Sequence, residues 1–242
     1  GDVILSVGGK DMVRGDMEKN ELTDHVSQEL RGEPGTSFLL KVERPGKDKP
    51  QVLEFKITRR SIRQNPIPYY GMVADSVGYL ALSEFTENCA KDFKKAFIEL
   101  KQKGASSLVI DLRGNGGGSL SEAVDIVNLF VPKGKEIVTL KGKVKQSEEG
   151  YKTESEPVDT EIPLVVLVDG STASAAEIVS GSLQDLDRAV IVGKRTFGKG
   201  LVQVPRPLPY NGSLKVTTAK YYIPSGRCIQ AIDYAKRNAD GS

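Results

Sequence analysis

A single histidine, His25, stands among 242 residues, and only two cysteines, Cys89 and Cys228, accompany it. A structural zinc site ordinarily takes four Cys or His ligands, so no metal centre is expected, and no cofactor is implied. A Ser-His-Asp triad would have to recruit its base from the far N-terminus. Two cysteines define no disulfide framework; they read as two buried thiols or as one bridge. No apolar run approaches the ~18 residues of a membrane span. No signal peptide is visible, and the opening GDVILSVGG reads as already inside a folded pattern, as in an excerpt. Neither sign of charge dominates, with 34 Lys and Arg against 32 Asp and Glu. That balance does not imply nucleic acid or an anionic membrane surface as partner, and it leaves peripheral membrane contact and oligomeric state open. What is present is an ordinary globular composition, 38% hydrophobic and 27% charged. The length suits one large domain, or a medium one with a small companion.

The chain divides by pattern. Val3–Val7 reads as a strand closed by Gly8-Gly9. Leu22, Val26 and Leu30 at i, i+4 and i+8 predict a helix over Leu22–Arg31, capped by Thr23 or Asp24 and stopped by Gly32. Ser37–Glu43 and Gln51–Arg59 read as strands around the turn-rich RPGKDKP. The linker SIRQNPIPYY, with two prolines, separates a domain over 1–60 from one over 70–242, with 61–69 between them. Tyr70–Ala74 and Gly78–Leu82 then form a hairpin. Thr86–Lys103 is an amphipathic helix with Ala90, Phe93, Phe97 and Leu100 as its stripe; Cys89 near its start is a packing residue.

Ser107–Leu112 is an apolar strand, of the kind buried on both faces, ending in Arg113-Gly-Asn-Gly-Gly-Gly118. A helix over Leu120–Phe130 follows, then weaker strands at Glu136–Leu140 and around Val144. The charged stretch Ser147–Glu161 reads as a solvent loop. Leu164–Val168 repeats the strand–loop–helix pattern, with its helix over Ser174–Leu183. Two such units in series predict parallel strands joined by crossovers, with both small-residue loops, Gly114–Gly118 and Gly170–Ala175, on one sheet edge. Ala189–Val192, Leu201–Val204 and Ser213–Tyr222 are further strands, and AIDYAKRNADGS is a polar tail. The fold class is α/β, a mixed sheet with crossover helices.

That edge collects acyl-transfer chemistry. A serine hydroxyl needs a positioned base, and without a nearby histidine lysine is the alternative. Ser174 and Lys199 lie 25 residues apart, the lysine between Gly198 and Gly200. Lysine must be neutral to accept a proton, against an ordinary pKa of ~10.4, and burial among apolar groups would lower it. The surrounding Thr-Phe-Gly-Lys-Gly-Leu-Val has no carboxylate within several residues. Gln203, four residues on, is placed to orient the amine without adding charge. Backbone N–H groups aimed at a developing oxyanion are each worth about 3–4 kcal/mol, and Gly118 and Ala175 are the natural donors. Each piece also has a structural reading. Ser174-x-x-Glu177 is a capping box, the glycine loop a tight turn or anion nest, and Lys199 a surface lysine on a glycine turn. Their conjunction on one edge favours chemistry.

The ordered pieces IDLRGNGGG with SLSEAVDIVNLF, then VVLVDGSTASAAEIVSGSLQD, RAVIVGKRTFGKGLVQ and LKVTTAKYYIPSGRCIQ resemble the carboxyl-terminal processing peptidases, the tail-specific Ser-Lys family S41. The stretches GDVILSVGGKDM, LRGEPGTSFLLKVERPG and FKITRRSI resemble the later part of a PDZ domain, a module that binds peptide C-termini by strand addition. Its carboxylate-binding loop would precede Gly1, and His25 would lie in the helix flanking the groove. The resemblance implies a ClpP/crotonase-like spiral core preceded by a partial PDZ domain. It implies Ser174 as nucleophile, Lys199 as base and Gln203 as its orienter, with Gly118 and Ala175 as the oxyanion hole. It also implies protein or peptide substrates recognised by their C-terminus, and an exported location in periplasm or cell envelope. Many members carry Ser-Ala-Ser-Glu where this chain has Ser174-Ala-Ala-Glu177; the position three before the glutamate keeps its serine. Two other readings stand beside the peptidase. One is a catalytically silent binding protein of the same fold, and the other an enzyme acting on a small acyl ester or thioester.

Overall fold

The structure is a computed structural model that describes residues 1–12, 15, 18–46, 49–61, 65–143 and 148–231. The chain forms two compact units, residues 1–64 and 65–242.

In the first unit, β1 (Val3–Val7) pairs with the short β2 (Lys10–Asp11), and the sheet continues through β3 (Ser37–Arg44) to β4 (Gln51–Thr58) in the order β2-β1-β3-β4. All three pairings are antiparallel. Helix α1 (Lys19–Leu30) begins a turn earlier than the pattern Leu22–Arg31 predicted. Thr23 and Asp24 therefore lie inside it rather than capping it. The Glu21 carboxylate instead accepts the Glu18 N–H at 3.0 Å, and a carboxylate there opposes the positive end of the helix. At the other end Arg59 donates to the Glu29 and Leu30 carbonyls at 2.8 and 2.9 Å while its guanidinium covers the Phe38 ring. One arginine thus satisfies carbonyls that the helix leaves open and joins the helix to the sheet. Val7, Met12 and Val42 are the buried apolar residues described here, a small core.

The second unit holds two sheets. In the larger, β5 (Tyr69–Ala74), β6 (Val77–Ala81), β7 (Ser107–Asp111), β10 (Leu164–Val168) and β11 (Ala189–Gly193) run in the order β11-β10-β7-β6-β5. The last four in sequence are mutually parallel, and β5 is antiparallel to β6. Register aligns Ala81 and Leu167 with Asp111, and Gly193 with Val168. The segments leaving β6, β7, β10 and β11 consequently emerge at one carboxyl edge, where sheets of this kind hold their ligands.

Leu80, Leu108, Ile110, Leu164 and Val166 share one face and are buried; Val109, Val165 and Leu167 on the other are half-buried. The expectation of strands covered on both faces holds for one face only. Helix α2 (Cys89–Gln102) buries the stripe of Ala90, Phe93, Phe97 and Leu100. Phe130 closes on it, with ring centroids 6.2 Å from Phe93 and 5.0 Å from Phe97. Burying each such ring contributes about 1.5–3 kcal/mol. The α2 N-terminus is capped from a distance. Glu122 in α3 (Leu120–Asn128) accepts the Asn88 and Ala90 N–H groups, both at 2.8 Å. Cys89 is fully buried beside it, and burial, with the Glu122, Asp92 and Asp125 charges, pushes its thiol up to about 12. Cys228 is exposed, and both thiols are free, so the bridge is not formed.

The smaller sheet has the order β12-β13-β8-β9, made of β8 (Glu136–Gly142), β9 (Glu149–Lys152), β12 (Leu201–Pro207) and β13 (Ser213–Tyr222). β9 falls inside the stretch expected as a solvent loop. It pairs antiparallel with β8, and Thr153 just beyond it is buried, donating to the Pro132 carbonyl at 2.7 Å. Val144 and residues 232–242 of the polar tail lie outside the described residues. Helix α4 (Ala175–Asp185) meets this sheet through Ser182, whose hydroxyl donates to the Ile137 carbonyl at 3.1 Å.

Candidate active site

Three segments from the carboxyl edge are stitched together by polar side chains. After β7, Asn115 is fully buried. Its amide donates to the Leu82 carbonyl and its Oδ1 accepts the Gly117 N–H, both at 2.8 Å. Its own carbonyl accepts the Ala173 N–H at 2.9 Å. After β10, Asp169 accepts N–H groups from Gly114, Ser171 and Thr172 at 2.9–3.1 Å. The Gly114 N–H, opposed by partial burial and helped by Ser171 and Thr172, holds the Asp169 carboxyl below the usual carboxylate range. The buried Thr172 hydroxyl donates to the Leu112 carbonyl at 2.8 Å, and the Thr172 carbonyl accepts the Phe197 N–H at 3.0 Å. The segments after β7, β10 and β11 therefore form one hydrogen-bonded body.

Ser174 sits at the top of that body. It is half-buried, at the turn from loop into α4, with φ 57° and ψ −118°. A non-glycine residue held there carries strain of order 1–3 kcal/mol, and such strain concentrates at functional positions. Gly117 lies directly against it. A Cβ on Gly117 would stand 2.7 Å from Ser174 Cβ and 2.8 Å from the Ala173 carbonyl oxygen, so only glycine fits. The Gly117 N–H is taken by Asn115. Among the described residues, the N–H groups of Gly118 and Ala175 donate to no protein acceptor. Gly118 is held by an isolated parallel bridge to Phe85, whose N–H donates to the Gly117 carbonyl at 3.0 Å and whose carbonyl accepts the Ser119 N–H at 2.8 Å.

Lys199 enters from the segment after β11. Its side chain is exposed, and among the described residues its ammonium makes no hydrogen bond or ion pair, with Ser174 and Gln203 included. The desolvated, carboxylate-free setting expected for it is not what the fold provides. Glu177, remote in sequence, is buried at 5% exposure and accepts the Lys199 and Gly198 N–H groups at 2.8 and 2.7 Å, together with the Ser174 N–H at 2.8 Å. Gln203 is exposed on β12, at an irregularity in the β12–β13 register between Val202 and Gln203. Such register irregularities are over-represented beside active sites. A cavity of about 520 Å³ opens along α4, lined by Glu177, Gly181, Lys194, Arg195, Arg227 and Cys228 among others. It reaches neither Ser174 nor the Gly118 and Ala175 N–H groups, so it is not where a reacting carbonyl would sit.

The family profile described as Peptidase family S41 matches residues 76–235, well over half of the sequence. This chain belongs to peptidase family S41. A carboxy-terminal-processing protease of Bartonella bacilliformis is 39% identical over 236 residues, covering 96% of this chain and 52% of that protein. A carboxyl-terminal-processing protease of Synechocystis is 36% identical over 234 residues, with coverage of 96% and 52%. Among solved structures, a photosystem II D1 C-terminal processing protease superposes with a TM-score of 0.63 at 31% identity, over 95% of this chain and 60% of the other. The chain spans about half the length of the curated relatives it matches. The S41 profile covers the three stitched segments and α4 together. The sequence reading placed Asn115, Gly117 and Thr172 only within the two small-residue loops and Glu177 only within a capping box, whose Ser174 N–H bond the structure contains. The cross-links that Asn115, Asp169, Thr172 and Glu177 make between segments escaped it.

Proposed function

We propose that residues 65–242 are the catalytic core of a serine endopeptidase that cleaves protein substrates near their C-termini through a Ser174–Lys199 dyad. The observation that carries the reading is the pair of open N–H groups, Gly118 and Ala175, flanking a strained Ser174. In the first step Ser174 Oγ attacks the scissile carbonyl while neutral Lys199 Nζ takes the hydroxyl proton. The new C–O bond places negative charge on the carbonyl oxygen, which the Gly118 and Ala175 N–H groups and the start of α4 stabilise. Collapse breaks the C–N bond, and Lys199 returns the proton to the leaving amine. Lys199 then takes a proton from water as its oxygen attacks the acyl carbonyl; collapse breaks the ester C–O bond, and Lys199 returns the proton to Ser174 Oγ, releasing the acid product. Gln203 orients the amine in this scheme. Lys199 is exposed and, among the described residues, unpaired, so an extended substrate docking over it would remove its amine from water.

The substrate class follows from the names of the relatives, which describe processing at carboxyl termini. Residues 1–60, as the later part of a PDZ-like module, suit recruitment of such termini. An exported location accords with the same relatives.

The test is labelling by a fluorophosphonate probe in the whole polypeptide that carries these residues. Wild type labels and Ser174→Ala does not, and peptides with free C-termini are cleaved while acyl thioesters are not. Equal labelling of Ser174→Ala would overturn the assignment. An unreactive but folded wild type favours the silent binding protein, and thioester turnover without peptide cleavage favours the small-acyl reading.

A further inference from the structure

We infer that Glu177 is a positioning residue that locks the nucleophile turn and the base loop into one register, so that the chemical step depends on its carboxylate. The inference rests on the Ser174–Lys199 reading. A capping box asks one carboxylate oxygen to accept the N–H of the residue three before it. Glu177 does that for Ser174 with Oε2, and then does more. The same Oε2 accepts the Lys199 N–H, and Oε1 accepts the Gly198 N–H, reaching 22 and 21 residues along the chain.

Two bonds of 2.8 Å to one oxygen mean that the backbone nitrogens of Ser174 and Lys199 are no farther apart than the two bonds laid end to end. Among the described residues no lysine or arginine pairs with Glu177, although it is buried. Its charge is balanced by these three N–H groups and by its place in the first turn of α4. A buried carboxylate held by backbone alone, with both oxygens used, tolerates little substitution. Aspartate is one methylene short of spanning the turn and the loop. Glutamine keeps one acceptor and turns an NH2 group toward an N–H that has lost its partner.

Among the described residues the amine of Lys199 has no side-chain anchor of its own, so its placement is inherited from its backbone. Its neighbour Gly198 is packed so closely that a Cβ there would stand 2.2 Å from Ala231 Cβ, and its carbonyl accepts the Ala231 N–H at 3.1 Å. The loop is therefore pinned on one side by residue 231 and on the other by Glu177. Releasing the second pin lets Lys199 move relative to Ser174 without unfolding the sheet. Misplacement of about 1 Å in such a pair costs on the order of 100-fold in rate.

The experiment compares Glu177→Gln and Glu177→Asp in the whole polypeptide, at a temperature where circular dichroism shows each folded. Expected are kcat and fluorophosphonate-labelling rates about 100-fold down in both, with KM within about threefold of wild type. Restored turnover in Glu177→Asp would reduce the residue to a helix cap and overturn the inference. So would a loss confined to KM, or kcat within threefold in Glu177→Gln. Hydrogen exchange on the wild type gives a second readout that needs no variant. The Gly198 and Lys199 amides should be protected as strongly as α4, and free exchange there would refute the clasp. Ser174→Ala and Lys199→Ala are the controls. If either retains activity the dyad fails; if both abolish it while Glu177→Gln is normal, only the clasp fails.

Discussion

Asn115 accepts the Ala173 N–H on its carbonyl at 2.9 Å, joining the glycine loop to the residue before Ser174. Its side chain holds Leu82 and Gly117 at the same time. Asn115→Ala leaves a buried carbonyl and a buried N–H without partners, at about 1–3 kcal/mol each. Urea unfolding should show the midpoint falling with unchanged slope, and peptide turnover should fall with it because the loop bearing Gly118 loses its anchor.

Ser174 at φ 57° sets an order among its substitutions. Glycine adopts that backbone without a Cβ penalty and alanine does not. Ser174→Ala and Ser174→Gly should both be unreactive toward the fluorophosphonate. Ser174→Gly should nonetheless melt no lower than Ser174→Ala, by calorimetry. An alanine variant clearly more stable than the glycine one would show that the strain is not real.

Gly117→Ala places a methyl group into Ser174 Cβ and the Ala173 carbonyl, at a backbone φ of 103° that disfavours L side chains. A loss of stability above about 1 kcal/mol is expected, by urea unfolding. A drop in kcat should exceed any change in KM, because the displaced group is Ser174, the proposed nucleophile.

Lys199→Arg should be inactive although it keeps charge and length, because guanidinium stays protonated above pH 12 and cannot take the serine proton. Its melting temperature should match wild type, since Lys199 is exposed and makes no side-chain bond among the described residues. Near-normal turnover in this variant would remove Lys199 as the base.

Acid should unfold the second unit through its paired carboxylates. Burial raises the Asp111 carboxyl, but hydrogen bonds from Arg113 and Tyr79 outweigh it and hold it below its ordinary value. Asp185 behaves likewise, with burial opposed by Ser225 and Arg227. A carboxyl depressed in the folded state stabilises fully above its unfolded pKa, about 3.9 for aspartate. That contribution is lost as pH falls through the lower folded value. Stability should be flat in this respect near neutrality and decline below about pH 4, and Asp111→Asn should weaken the decline.

Much of the fold was legible because its signals are local. Val3–Val7 and Ser213–Tyr222 have the predicted bounds, and the α2 stripe follows helical spacing into the core. Alternation and turn residues act within a few positions, so a sequence displays them directly. The β9 strand was missed for the opposite reason. Glu149–Lys152 is polar, and its pairing with β8 supplies what its composition does not.

For the site, the sequence by itself determined the chemical groups: a serine at a helix start, a lysine between glycines, and a glycine-rich loop after an apolar strand. Parallel strands order these loops on one edge, which pattern alone also indicated. Only the tertiary structure decided what surrounds them. It exposed Lys199 where an apolar sequence neighbourhood suggested burial, because desolvation depends on packing across the chain and not on adjacent residues. It brought Glu177 against the lysine loop from 22 residues away. A carboxylate with two oxygens can serve its own helix and a distant backbone together, and no local pattern records the second partner.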